Sequence, residues 1–393
     1  MEEPRPEQRL DAKAVLGPQP PRDFFALLSS AEAALVLQCL DTTSRLAVAA
    51  TCRRILSDAL QPLAWKHAEP LRITDEQLLS QQYRQHAAHS LLQLAPVHLL
   101  LRSGEDVTLS MLQVGCIRRL HELEQPTSRL VDVSPLLRHP VARQLRQLKL
   151  SCRAGTASIR NLEPLGDGAL AQLTSLHLFC GHSGGGGWNG TSVQQLSAAL
   201  IEALQLLARP QLTELALQGL DVEGGHTHIL QSLLRSSGSL LRLHLHCGFV
   251  CNAPASTAVV EQFAALGTAL PRLQVLSLAE FRLTQHIPAE CLQRLLSSLP
   301  ALQTLQLLFC RLGDVLPHVP TCQPHLRHLL HFRRRRVLPF HGASEAAVRI
   351  LREAMPQLRI TEGAWAELVE RGESSDWNVH TEQMVILEPS DKV

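Results

Sequence analysis

The chain has 393 residues, which at about 150 residues per domain corresponds to two or three domains. Its 37 basic and 36 acidic residues give a net charge of +1, which argues against nucleic acid or a membrane surface as the main partner. Hydrophobic residues make up 45% of the chain but aromatic residues only 4%, so we expect a folded protein with an aliphatic core.

No targeting or membrane segment is predicted. The chain begins with an acidic, proline-bearing stretch, and its apolar runs fall short of the roughly 18 residues of a membrane helix. Ten cysteines without a C-x-x-C pair are too few for a disulfide scaffold. We therefore expect reduced cysteines and a cytoplasmic and/or nuclear protein.

The first third of the chain reads as a tail followed by helices. Residues 1–22 are rich in proline and predict a flexible tail. Residues 23–70 show apolar side chains every three or four positions, typical of two helices, with Ser29 or Ser30 as the N-cap of the first. For residues 71–144 we expect a helical linker with possible degenerate first repeats.

A repeated unit, L-x-x-L-x-L, dominates the rest of the chain. Successive copies are separated by 28, 39, 28, 33 and 29 residues. The six copies begin at Leu145, Leu173, Leu212, Leu240, Leu273 and Leu302, and the last ends at Leu307. Weaker copies follow near Leu326 and Leu358.

Each L-x-L predicts a short strand whose leucines point to a core, and the segments between strands read as amphipathic helices. Over residues 145–360 this pattern resembles the leucine-rich-repeat superfamily. The resemblance implies an α/β solenoid with parallel strands on its concave side and helices on its convex side. Residues 361–393 would then be a C-terminal cap or tail.

The segment from Leu28 to Trp65 resembles the F-box without gaps, and Ser29, Thr51 and Ile55 are its departures from the family's pattern. The resemblance implies docking to an SKP-family adaptor through apolar helix faces. The residues that it assigns to adaptor binding are Leu28, Val36, Leu37, Leu40, Leu46, Val48, Cys52, Leu63 and Trp65.

Together the two resemblances imply a substrate receptor of an SCF-type, cullin–RING ubiquitin ligase. Such a receptor is not itself an enzyme, needs no cofactor or metal, and binds a protein substrate on its repeats. Two alternatives stay open. The first helices could be an ordinary cap of the solenoid, and the protein could be a leucine-rich-repeat scaffold without a ligase.

The residues between the strand leucines are the candidates for substrate contact. They are mostly small, polar or aromatic, which suits a protein ligand, although a solvated face without a ligand is the alternative. The longest spacing, the 39 residues between the units that begin at Leu173 and Leu212, also contains a glycine-rich loop, Gly181 to Gly190. The candidates are His177, Phe179, Gln218, His244, His246 and Gln306 on the strands, and Trp188 in the loop.

Three chemical motifs were weighed as signs of other functions. Gly181-His182-Ser183-Gly184-Gly185 matches the G-x-S-x-G elbow of hydrolases, but the glycines after it delay the required helix. His244, His246, Cys247 and Cys251 superficially resemble a metal site, with a spacing that fits no common zinc pattern. The run Arg333 to Arg336 is either a solvated edge or a basic patch.

Overall fold

The L-x-x-L-x-L units form parallel strands in the computed structural model. The structure describes residues 28–40, 44–45, 48, 62–65, 70–74, 96–101, 117–125, 132–152, 156–166, 170–180, 211–218, 238–246, 261, 265, 267–279, 289–308, 316–333 and 345–364. Within these residues, eleven strands build one sheet in which each strand pairs with its neighbours in sequence. The fold is therefore α/β with a consecutive parallel sheet.

The strands are four to six residues long. Six of them, β4 to β9, coincide with the six predicted units, so the expectation of parallel strands there is confirmed. The strands are β1 Leu71–Thr74, β2 Val97–Leu100, β3 Leu120–Glu124, β4 Gln147–Cys152, β5 Ser175–Cys180, β6 Glu214–Gln218, β7 Arg242–His246, β8 Val275–Ala279, β9 Thr304–Leu308, β10 His328–Arg333 and β11 Arg359–Ala364.

The strand leucines align across the sheet because every unit has the same spacing. Leu148 lies in register with Leu176, and this row continues through Leu215, Leu243 and the later strands. These side chains are 0–2% exposed and belong to one continuous apolar core. No single repeat could bury its leucines alone, so the strands stabilise one another.

The helices between strands contribute leucines to the same core. Two of the predicted amphipathic segments are confirmed as helices, those at residues 290–300 and 345–355. Another predicted helix, at residues 194–208, lies outside the described residues. The helices are α1 Ser30–Gln38, α2 Ser134–Arg138, α3 Thr156–Gly166, α4 Ala289–Ser297, α5 Val319–Cys322 and α6 Glu345–Ala354, and the 3-10 turns are Pro62–Trp65, Pro140–Gln144 and Leu316–His318.

Buried amides join neighbouring helices. Asn161 on α3 is fully buried, and its side-chain oxygen accepts hydrogen bonds from the backbone N–H groups of Val133 and Ser134 at 2.6 and 3.1 Å. The side-chain nitrogen of Gln323 donates to the backbone oxygens of Leu296 and Leu299 near the end of α4. Both amides satisfy helix-end groups that would otherwise be buried without partners.

The structure refines two expectations about boundaries. For residues 71–144 we expected a helical linker with possible degenerate first repeats, and β1, β2 and β3, which continue the sheet towards the N-terminus, fit such repeats. These strands are short and lack the full leucine unit, so their pattern does not distinguish them from helix. At the other end, β11 runs to Ala364, so the sheet extends past residue 360. The predicted tail, residues 1–22, and residues 365–393 lie outside the described residues.

Candidate functional site

The second face of the sheet carries the side chains that alternate with the core leucines. Pairing across strands puts one polar or small residue of each central strand into a single row, which we call the central row. The central row consists of Lys149, His177, Ala216, His244, Ser277 and Gln306. The structure thus brings three of the predicted substrate residues, His177, His244 and Gln306, into one line.

Most of the central row is buried rather than solvated. His177 is 4% exposed, His244 and Ser277 are 0% exposed, and Gln306 is 2% exposed. From the sequence, we considered that this face either contacts a substrate or is exposed to solvent. The burial of these side chains shows that exposure to solvent is wrong at these positions. Burial depends on what packs over the face, which strand alternation cannot predict.

The other predicted substrate residues are less fully described. Phe179, Gln218 and His246 lie on their strands in the row beyond the central row, and nothing is described of their side chains. Trp188 and the rest of Gly181 to Gly190 lie outside the described residues, as do Cys247 and Cys251. Of the arginine run, only Arg333 is described, on β10.

Glu214 on β6 lies between two histidines of the neighbouring strands. Its Oε1 is 3.3 Å from His177 Nε2 and 3.9 Å from His244 Nε2. Burial raises the pKa of Glu214, but the hydrogen bond from His177, the charges of both histidines and a hydrogen bond with Ser175 outweigh it and lower the pKa to about 2. Glu214 is therefore a carboxylate at neutral pH.

His244 is a neutral imidazole at neutral pH. Burial lowers its pKa to about 4, Glu214 opposes this shift, and the charges of His177 and Arg242 add to it. Among the described residues, neither ring nitrogen of His244 has a hydrogen-bond partner, and the same is true of the Ser277 hydroxyl. Each such buried polar group costs about 1–3 kcal/mol. The central row thus holds hydrogen-bonding capacity that these residues leave unused.

Ser175, His177 and Glu214 lie close together but do not form a catalytic relay. Ser175 Oγ is 3.2 Å from the same His177 Nε2 that contacts Glu214. An ionised carboxylate only accepts hydrogen bonds, so Nε2 must carry the proton that it donates to Glu214. It then cannot accept the proton of Ser175, as a serine nucleophile requires.

A second charged cluster lies on the same face of β2 to β4, and the sequence analysis missed it. His98 Nδ1 is 3.1 Å from Glu122, His98 Nε2 is 3.3 Å from Glu124, and Lys149 Nζ is 3.5 Å from Glu124. Burial raises the pKa of Glu124, but the hydrogen bond from His98 and the nearby charges of Lys149, His98 and Arg72 lower it to about 2. Charge alternation across neighbouring strands was its only signal, and that required the strands first.

The N-terminal helix α1 begins with a capping box. Ser29 accepts a hydrogen bond from the backbone N–H of Glu32, and the Glu32 carboxylate accepts one from the backbone N–H of Ser29 at 2.8 Å. The prediction of Ser29 or Ser30 as N-cap is thus confirmed for Ser29. A serine at this position has a local role in starting the helix.

Arg45 closes the other end of α1. Its guanidinium is buried and donates to the backbone oxygens of Leu37, Gln38 and Leu40 at 2.7–3.1 Å. It also lies 5.0 Å from the centre of the Trp65 ring, a cation–π contact. The sequence analysis did not identify Arg45, because its partners are backbone oxygens that only the folded chain brings to it.

The predicted adaptor residues divide by exposure. Leu37 and Trp65 are fully buried, whereas Leu28, Val36, Leu40 and Val48 are half-buried. Leu35, which the sequence analysis did not select, is 52% exposed and is the large apolar side chain of α1 most open to a partner. Leu46, Cys52 and the side chain of Leu63 lie outside the described residues.

No protein-family model matches the chain, and no curated protein matches it. Within the described part of the chain, no group of three histidine, cysteine or acidic side chains has the arrangement of a metal site. The helices in that part are all too short or too polar to cross a bilayer.

Proposed function

We propose that this protein is the substrate-recognition subunit of an SCF-type ubiquitin ligase. An F-box-like segment, residues 23–70, binds an SKP-family adaptor and through it a cullin–RING ligase. A leucine-rich-repeat solenoid, residues 145–360, holds a protein substrate. The chemistry of ubiquitin transfer belongs to other subunits.

The observation that carries this proposal is one parallel strand per L-x-x-L-x-L unit, in a chain whose sequence from Leu28 to Trp65 resembles the F-box. Consecutive strands with one shared leucine core are what stacked repeats require.

The exposed side of α1 supports an adaptor-docking role. Leu35 is 52% exposed, and Leu28, Val36 and Leu40 are half-buried. An apolar surface on a short helix is the kind of face that a partner covers. Since Leu37 and Trp65 are buried in the chain itself, we assign the adaptor contact to the Leu35 side and a core role to those two residues.

Affinity purification of the full chain from cells, followed by mass spectrometry, tests the proposal. We expect SKP and cullin subunits to co-purify with the wild type and to be lost with Leu35→Asp, because a buried unpaired carboxylate would oppose docking. Ile350→Asp is the matched control, since Ile350 is 53% exposed on α6 and far along the chain. It should retain the adaptor.

Two results would contradict the proposal. If the wild type brings down no adaptor, the protein is not a ligase receptor, and the alternative of a leucine-rich-repeat scaffold is favoured. The burial of Leu37 and Trp65 inside the chain is the observation that fits this alternative, with the first helices as a cap. If Leu35→Asp retains the adaptor as well as Ile350→Asp does, the Leu35 side of α1 is not the docking face.

A further inference from the structure

Four basic residues meet where β3 and β4 begin, and we call them the basic edge: Arg118, Arg119, His121 and Arg146. The backbone N–H of Arg146 donates to the backbone oxygen of His121 at 2.8 Å. The side chain of Gln144, two residues before Arg146, donates to the backbone oxygen of Arg118 at 3.2 Å. Residues more than 20 positions apart in sequence are thereby held side by side.

A β-bulge sets the position of His121. Val97 on β2 pairs with Leu120, but His98 pairs with Glu122, so His121 is an extra residue in β3. Bulges change the direction of a side chain and occur often at functional edges. Here the bulge places a half-buried imidazole beside the arginines.

Charges of like sign face one another at the basic edge. Burial and the charges of Arg146 and Arg119 lower the pKa of His121 to about 4. Burial and Arg146 also lower the pKa of Arg119. In the described part of the chain, the side chains of Arg118, His121 and Arg146 make no hydrogen bond or ion pair. The cluster therefore costs electrostatic energy that an anionic partner would recover.

Other charged groups nearby are already neutralised. Arg138 pairs with Glu163 at 2.8 Å, and Glu124 pairs with His98 and Lys149. Along the same edge of the sheet, the residues that correspond to Arg146 on β5 and β6 are the uncharged Thr174 and Thr213. From β5 to β9 this position is uncharged, and the next basic residue there is Arg327 at the start of β10. The basic edge therefore lies on two adjacent strands, which are about 4.8 Å apart.

We propose that the basic edge binds an acidic, Asp- or Glu-bearing segment of a partner protein. Guanidinium groups pair with carboxylates in a well-defined bidentate geometry. The cluster spans too few strands to follow the repeated phosphates of a nucleic acid, and the net charge of the chain is only +1. This surface does not depend on the ligase proposal.

Fluorescence anisotropy with the full chain tests this. The probe is a labelled peptide of alternating glutamate and serine, with a glutamine–serine peptide as the uncharged control, in about 100 mM salt, where close charge pairs still interact. We expect the glutamate peptide to bind and the glutamine peptide not to. Arg146→Gln should weaken binding about tenfold, since it removes a charge-assisted hydrogen bond.

Arg327→Gln is the matched control. Arg327 occupies the position of Arg146 at the start of β10, six strands away, and is also exposed. Its loss should leave the affinity unchanged. A bound carboxylate should also raise the pKa of His121 towards its ordinary value. An NMR pH titration of the His121 imidazole, with and without the glutamate peptide, measures this change.

Three results would overturn the proposal. The first is equal binding of the glutamate and glutamine peptides, and the second is an equal loss of affinity in Arg327→Gln. The third is binding only to a phosphoserine peptide or to a single-stranded oligonucleotide, with the same dependence on Arg146. That result would assign the basic edge to phosphate instead of to an acidic protein segment.

Discussion

The imidazole of His244 is enclosed among the central strands without a hydrogen bond to any described residue. Its neighbour Glu214 is ionised and 3.9 Å away, so protonation of His244 would gain an ion pair but must overcome burial of the charge. Burial dominates, and the folded chain binds a proton at His244 only near pH 4. This makes His244 a source of acid sensitivity.

We predict that the free energy of unfolding falls between pH 7 and pH 5. The pKa of His244 is about 4 in the folded chain against 6.5 for an ordinary histidine. Between these values the unfolded chain binds a proton that the folded chain does not, so stability decreases as the pH falls. His244 accounts for about 2 kcal/mol of this loss. Urea unfolding at both pH values measures it.

His244→Gln should reduce the difference between the two pH values by about that 2 kcal/mol, because glutamine does not titrate. The half-buried His121 contributes the same sign of dependence and remains in the variant. His325→Gln is the control, since the His325 side chain is exposed and stays in water when the protein folds. An unchanged pH dependence in His244→Gln would show that His244 is protonated in the folded chain.

Helix packing limits which residues fit between the repeats. Gly267 is helical and buried against the end of α4. A Cβ atom there would clash with the hydroxyl of Ser298 and would lie 2.8 Å from the backbone oxygen of Leu295. That hydroxyl is itself held by hydrogen bonds to the backbone oxygens of Arg294 and Leu295, so it cannot move away cheaply. Glycine is needed here for close approach.

We predict that Gly267→Ala destabilises the protein by about 1–3 kcal/mol, although alanine normally favours a helix, because overpacking outweighs the gain in propensity. Gly238→Ala is the matched control: its Cβ would meet nothing within 4 Å. Thermal unfolding of the two variants, compared with the wild type, measures the difference. A Gly267→Ala variant as stable as Gly238→Ala would mean that the two helices separate without cost.

At the scale of the whole molecule, the sheet is open and its core is continuous. Among the described strands, β1 and β11 each pair on one side only, whereas every strand between them pairs on both. The apolar core runs from Leu71 to Leu358 without a break. Stability in such an arrangement is a sum of neighbour contacts, so it should be lowest at the ends.

Hydrogen exchange should therefore be slower in β5 to β8 than in β1 and β11, as measured by mass spectrometry of the full chain. Leu243→Ala removes a side chain that is 0% exposed at the centre of the ladder and should cost about 2–5 kcal/mol. We expect it to accelerate exchange in β6 and β8 more than in β1. Uniform exchange in all strands would contradict a chain of neighbour contacts and would indicate one cooperative globule.

The leucine spacing alone was enough to predict β4 to β9, their register and the core that they share. Alternation along a strand is a local property, so it can be read from six residues at a time. The helices α4 and α6 and the cap at Ser29 were predictable for the same reason. Where the local signal was weak, as in β1 to β3, the sequence left both a helical linker and degenerate repeats open, and it did not place the strands.

Only the tertiary structure decided the burial of the central row, the capping of α1 by Arg45 and the meeting of His121 with Arg146. Each of these depends on groups that are distant in sequence or on what covers a face of the sheet. Burial and charge–charge energy are properties of the assembled neighbourhood and not of any one segment. A repeat pattern specifies which face of each strand packs into the core. Whether the other face is buried or exposed, and which charges meet on it, depends on the neighbouring strands and on what covers them.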